Sequence, residues 1–209
     1  MGKSLLVATM ALPLHQPTSL LPVQALVLAA GFGRRFGADK RRARLPDGTP
    51  LLAASLARAT RCFAGVSVVL RPGDDPRALG VPEEVRVVHC ADADLGMGHS
   101  LATGARALAG APGRALAVLL GDMPWIAEDT LARLAALAEE ARIVFPRYRG
   151  ERGHPVLFGR DFWPDLETLR GDSGARDVLR AYPNACLAMT VDDPGVVRDV
   201  DRAADLAAR

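Results

Sequence analysis

Ala25-Leu26-Val27-Leu28-Ala29-Ala30-Gly31-Phe32-Gly33-Arg34-Arg35-Phe36-Gly37-Ala38-Asp39-Lys40 is the stretch from which the rest of the chain can be read. Its unbroken apolar start, stopping at a glycine, describes a strand buried on both faces, as in a parallel sheet covered by helices. The glycines that follow free the backbone for left-handed angles and for close approach to a ligand. Successive N–H groups in such a loop form a concavity suited to anions. Arg35 and Lys40 add positive charge, and a guanidinium grips phosphate oxygens in pairs. In an open α/β sheet ligands bind just beyond the carboxyl ends of strands, which is where this loop falls.

Outward from that run the pattern alternates. Thr49-Pro50 reads as N-cap and first residue of a helix carrying Leu52, Leu56 and Ala59 on one face. Buried strands are predicted at 66–70, 85–89 and 115–120, with a helix after Ser100 presenting Leu101, Ala105 and Leu108. Leu131, Leu134, Leu137 and Ala138 mark another amphipathic helix. Further strands are predicted at 143–145, 156–158 and 196–200, and a short closing helix at 202–208. Strands and helices in alternation imply an α/β fold whose mostly parallel central sheet is covered on both faces. With no repeat and no low-complexity linker, residues 23–209 read as a single domain.

Two familiar phosphate loops can be tested and excluded. A Gly-x-Gly-x-x-Gly fingerprint starting at Gly31 meets Phe36 at its sixth position, and no acidic residue ends a second strand about twenty residues on. A Walker A loop needs Gly-Lys-Ser/Thr after a glycine and a four-residue spacer, and Gly2-Lys3-Ser4 is preceded by one Met alone.

A second signal is Gly121-Asp122-Met123-Pro124, an acidic residue at the exit of a central strand. Mg²⁺ is held by one or two carboxylates with waters and phosphates completing its shell, so Asp122 has suitable chemistry. The competing reading makes Asp122 the cap of a helix starting within 125–130.

The loop from Leu28 to Lys40 resembles the signature of the MobA-like nucleotidyltransferases, and every fixed position of that signature is met. Ala29-Ala30-Gly31 and Gly121-Asp122-Met123-Pro124 look like the molybdenum cofactor cytidylyltransferase (MocA-like) branch. The resemblance implies a three-layer α/β/α Rossmann-like nucleotidyltransferase fold and Mg²⁺-dependent transfer of a nucleotidyl group, with release of pyrophosphate. CTP or GTP would be the donor, CTP being favoured, and molybdopterin the phosphorylated acceptor; a molybdoenzyme partner enters only through the same resemblance. The implied nucleotide site is Leu28, Ala29, Ala30, Gly31, Gly33, Arg35, Gly37 and Lys40, joined by Gly98 and Ser100 from a segment resembling Gly-Met-x-x-Ser-Leu. Arg35, Lys40 and Asp122 would carry catalysis. Asp199, in a blurred form of the family's closing motif, is the implied second metal ligand, with Asp201 capping the last helix. His154, in Gly153-His154-Pro155-Val156, and Arg176, in Gly171-Asp172-Ser173-Gly174-Ala175-Arg176, are the implied acceptor contacts. One departure is the cationic run Arg41-Arg42-Ala43-Arg44, where the family is apolar; it reads either as an acceptor-binding patch or as a solvated face. A sugar or polyol phosphate acceptor and a non-catalytic cofactor chaperone stay open as alternatives.

Bulk properties narrow the remaining classes. A chain of 209 residues can bury a core without metals or disulfides. A formal net charge of +2 lacks the basic footprint of a nucleic-acid binder. Cys62, Cys90 and Cys186 form no Cys-x-x-Cys pair and suit a reducing compartment, so a cytoplasmic location is expected. Lys3 and the apolar run at 5–14 have the outline of a signal peptide, but the run is short, broken by Pro13, and lacks an A-x-A-like cleavage site. Residues 1–22 are therefore read as a flexible extension. No stretch reaches the roughly 18 apolar residues of a membrane span.

Overall fold

A computed structural model describes residues 21–33 and 36–206 of the chain. Arg35 and nearly all of the expected N-terminal extension lie outside the described residues. The strand β1, Leu21–Leu28, takes in the last two positions of that extension.

β1 explains why its sequence is apolar without alternation. Val23, Ala25, Val27 and Ala29 face one core, packed with Leu52 and Leu56 of α1 (Leu51–Cys62) and Leu131 and Leu134 of α3 (Glu128–Ala136). Leu26, Leu28 and Ala30 face the other, against Leu101, Ala105 and Leu108 of α2 (Met97–Leu108) and Trp163 and Leu166 of α4 (Trp163–Glu167). The result is the three-layer α/β/α arrangement. At Gly104 a Cβ would stand 2.5 and 2.7 Å from the Leu26 methyls, so the glycine lets α2 lie close against β1 and a larger residue would require Leu26 to shift.

β2 (Phe63–Leu70), β3 (Arg86–His89) and β4 (Ala115–Leu120) join β1 in parallel, in the order β3-β2-β1-β4. Beyond β4 the sheet changes character. β7 (Val156–Gly159) runs antiparallel to both β4 and β5 (Ile143–Tyr148), and β6 (Glu151–Arg152) forms a hairpin on β5. β8 (Cys186–Thr190) pairs with β5 in parallel.

Several local expectations are corrected. Residues 196–200 do not form a strand: Pro194–Val197 is a 3-10 turn whose Gly195 N–H is capped by the Asp193 carboxylate at 2.9 Å. Val196 and Val200 are nonetheless fully buried, so the apolar signal reported burial and not extension. β8 had no counterpart in the sequence reading, because its residues are only half-buried at the margin of the sheet. α2 starts at Met97, three residues before the expected site, and Ser100 lies buried in its first turn. The N-cap of α1 is Pro50, without a side-chain hydrogen bond, in place of Thr49. As far as the described residues show it, the closing helix is a 3-10 turn, Ala203–Leu206, whose Asp205 carboxylate reaches back to accept from the N–H groups of Asp201 and Arg202 at 3.0 and 2.6 Å.

The cysteines are free thiols, with Cys90 buried and the other two partly so. Among the described residues no helix is long and apolar enough to cross a membrane.

Candidate functional site

The carboxyl ends of β1 and β4 lie side by side, Leu28 opposite Leu120, and the Gly121 N–H donates to the Leu28 carbonyl at 3.0 Å. The glycine-rich loop and Gly121-Asp122 therefore leave the sheet together. They open into a crevice of about 900 Å³, bordered on its far side by the β6 hairpin, the 172–176 loop and residues 196–201.

Residues 28–31 and Gly33 line this crevice with Lys40, Ser100, Asp122, His154, Arg176 and Asp199. Gly37 and Gly98 do not. Gly37 shapes the loop with a φ of 79°. Gly98 is a packing glycine: its N–H donates to Gly171 O at 2.7 Å, and a Cβ would meet Arg170 O at 2.6 Å.

Lys40 is carried by the 3-10 turn Lys40–Arg42, which Asp39 caps through the Arg41 N–H. Its ammonium reaches across the crevice to the Asp122 carboxylate and donates to Val200 O at 3.1 Å, with Asp201 Oδ1 at 4.0 Å. The Asp122 carbonyl in turn accepts from the Val200 N–H at 3.1 Å, tying the 196–201 segment to the strand exit. Asp122 caps no helix, since α3 begins at Glu128 and the N–H of its Ala127 donates to Asp193 at 2.9 Å.

The electrostatics suit a divalent cation. Asp122 Oδ1 is buried without a hydrogen-bond partner among the described residues. Asp199 is pushed above the ordinary carboxyl range first by burial, then by repulsion from Asp122 and Asp201, with Lys40 acting the other way. An orphaned oxygen beside a second carboxylate that resists ionisation is a donor set a cation would relieve. Asp122 and Asp199 would supply a sparse two-carboxylate set, and among the described residues no group of three or more acidic, His or Cys side chains is placed to hold a metal ion.

Within the cationic run after Lys40, Arg42 and Arg44 are exposed, as the solvated-face reading expects, whereas Arg41 has a use that neither reading covers. Arg41 is buried, bonded to Asp39 and Asp74 through both ends of its fork, and its Nη1 donates to Ala29 O at 3.0 Å. It is a brace under the glycine-rich loop. Arg71 joins the same carboxylates and stacks 5.0 Å from the exposed Phe32 ring. Nothing in the spacing of Arg41 and Asp74 signals this contact, which only the adjacency of β1 and β2 creates.

His154 borders the crevice. Its imidazole is held below its ordinary range mainly by burial, against the charge of Asp122, and its Nδ1 has no partner among the described residues. Arg176 opens α5 (Arg176–Ala181) with an exposed side chain. Asp201, beside Asp199 in the closing motif, also borders the crevice, as do Met123 and Arg152, whose ligand-facing places only their positions at strand and turn ends could signal.

Residues 25–186 match the family of the MobA-like NTP transferase domain. The chain belongs to that family. Over 192 residues it is 29% identical to a protein of Mycobacterium bovis named "Probable molybdenum cofactor guanylyltransferase", covering 90% of this chain and 93% of that one. It is 33% identical over 113 residues to the purine catabolism protein PucB of Bacillus subtilis, and there it spans about half of the relative, 55%. Among solved structures, Rv0371c of Mycobacterium tuberculosis superposes with a TM-score of 0.76 at 27% identity, covering 90% of this chain and 96% of that one. A manganese complex of Rv0371c gives 0.71 at 26%, covering 88% and 95%.

Proposed function

We propose that this family member transfers a nucleotidyl group from a nucleoside triphosphate to a phosphorylated small molecule, with molybdopterin as acceptor and CTP as donor. The observation that carries the reading is the Lys40–Asp122 contact across one crevice, which brings a triphosphate-binding cation and a metal-binding carboxylate to the same place. An oxygen of the acceptor phosphate attacks the α-phosphorus, the bond from that phosphorus to the α–β bridging oxygen breaks, and pyrophosphate leaves with the electron pair. No covalent enzyme intermediate is needed, so orientation and electrostatics supply the rate. The loop backbone at 29–33 cradles the phosphates, and Lys40 follows the charge that grows on the leaving group. Arg35, assigned from the sequence alone, shares that task. Asp122 and Asp199 would hold Mg²⁺, which when bound neutralises charge developing on the triphosphate.

GTP is the second donor reading, favoured by the mycobacterial relative named as a guanylyltransferase; Ala29-Ala30-Gly31 favours CTP. The test is pyrophosphate release from CTP, GTP, ATP and UTP, each with molybdopterin, a sugar phosphate and a polyol phosphate. Release with CTP and molybdopterin alone is the expected result. Nucleotide binding with no release from any pair would make the protein a chaperone instead. Lys40→Ala is expected to weaken triphosphate binding and slow the chemical step together, and unchanged kinetics would remove Lys40 from both.

A further inference from the structure

We propose that Arg152 and Arg176, which line the same crevice, clamp a phosphate monoester of the second substrate, and that Arg152 sets the preference for a dianionic group there. The proposal rests on the nucleotidyl-transfer reading above and adds a residue and a ligand chemistry to its acceptor end. Among the described residues three arginines line the crevice: Arg41, Arg152 and Arg176. Arg41 is neutralised by two carboxylates. Arg152 and Arg176 have no carboxylate within 4.0 Å among the described residues, so their charge is unspent.

The two come from separate elements. Arg152 sits on the β6 hairpin opposite Arg147, and its guanidinium carbon lies 5.8 Å from the Phe145 ring centroid. Stacking of that kind orients a planar fork without consuming its donors. Arg176 begins α5, after the Gly171–Ala175 loop. His154 completes the site with the unpartnered, buried Nδ1, and its imidazole feels Asp122 as well as both arginines. The acceptor end thus adjoins the metal carboxylates, where an attacking phosphate oxygen has to be. Glu151 and Asp172 border the same crevice. Removing one arginine would leave the other offset by these neighbours, so the loss should be steep.

The probe is inorganic phosphate, titrated calorimetrically into the full chain with Mg²⁺ and a saturating α,β-methylene nucleoside triphosphate filling the donor site. Arg152→Ala and Arg176→Ala are each expected to weaken phosphate by roughly tenfold or more, the range of a lost charge-assisted pair. Arg152→Lys should recover part of that, keeping charge but not the fork. Nucleotide affinity should stay unchanged, and so should phosphate binding in Arg61→Ala, a surface arginine outside the crevice. With acceptor present, KM should rise while kcat holds. Unchanged phosphate affinity in Arg152→Ala, an equal loss in Arg61→Ala, or a parallel loss of nucleotide would each overturn the clamp. Pyrophosphate release whose acceptor KM ignores Arg152 would overturn the clamp alone. Arg152-dependent phosphate binding without release from any acceptor would support the clamp and overturn the reaction. Thermal melts report folding, and Arg152→Gln replaces any variant that unfolds.

Discussion

The two sides of the crevice are built differently. The side that we propose takes the donor, here the donor side, hangs from the ends of β1 and β4, whose parallel register is fixed residue by residue from Val23 opposite Ala115 to Leu28 opposite Leu120. The side that we propose takes the acceptor, here the acceptor side, is assembled from a two-residue strand, a loop before a short helix, and the 3-10 turn Pro194–Val197. A group at a ladder's end inherits its position from many backbone hydrogen bonds. A group on a turn depends on a few. Substitutions of the reactive groups on the donor side should therefore change chemistry at constant stability, whereas those at structural joints, Arg41 beneath the glycine-rich loop among them, should register as lost stability.

The sharpest test of that contrast is Asp122→Ala. Loss of an electrostatic group acting in the transition state costs about 3 kcal/mol or more, on the order of a hundredfold or greater fall in kcat. Stopped assays of pyrophosphate release would read it, with circular dichroism expected to stay native. Near-normal turnover in Mg²⁺ would take Asp122 out of the mechanism. Arg41→Ala is the complementary case on the same side. It strands Asp39 and Asp74 at a mostly buried site, and breaking a buried pair from one end costs about 3 kcal/mol. A lower urea midpoint is expected, with acceptor specificity intact. An unshifted midpoint together with weaker acceptor binding would instead restore Arg41 to the acceptor.

The same contrast accounts for what could be read in advance. The apolar run of β1, the glycines after it and Asp122 at the exit of β4 are local facts of sequence, because a strand buried on both faces cannot hide its composition. The three-layer fold followed from them. Arg41 could not be read, since its meaning depends on Asp74 standing at the end of the neighbouring strand. Gly98 carries a demand its motif does not show: Arg170 and Gly171 of a distant loop approach it too closely for a side chain. Residues 196–200 show that apolar spacing reports burial more faithfully than it reports extended backbone.

Gly98 joins the two sides and gives the next effect in size. The atoms that an added Cβ would meet are backbone, Arg170 O at 2.6 Å and Arg170 C at 2.7 Å, so neither can swing aside. Gly98→Ala is expected to cost about 2 kcal/mol as α2 and the 170–171 segment move apart, within the range for overpacked sites. Chemical denaturation measures it. A stable variant with selectively weakened nucleotide binding would return Gly98 to the base site.

Asp193 carries the smallest effect and the finest distinction. It is buried, and its two oxygens serve two N–H groups: Oδ2 takes Ala127 N at the start of α3, and Oδ1 takes Gly195 N in the turn that leads to Asp199. A helix cap is worth about 1 kcal/mol. Asp193→Ala removes both contacts, leaves two N–H groups unanswered, and should lower stability by at least that amount. Asp193→Asn keeps one acceptor oxygen, so it can satisfy one N–H but must turn an NH₂ toward the other. If the acceptor side is held by such individual bonds, the Asn variant should fall between the wild type and Ala in urea midpoint. Equality of Asn with the wild type would mean that one bond suffices. In that case the turn bearing Asp199 is positioned by the buried Val196 and Val200 side chains, through packing and not through its cap.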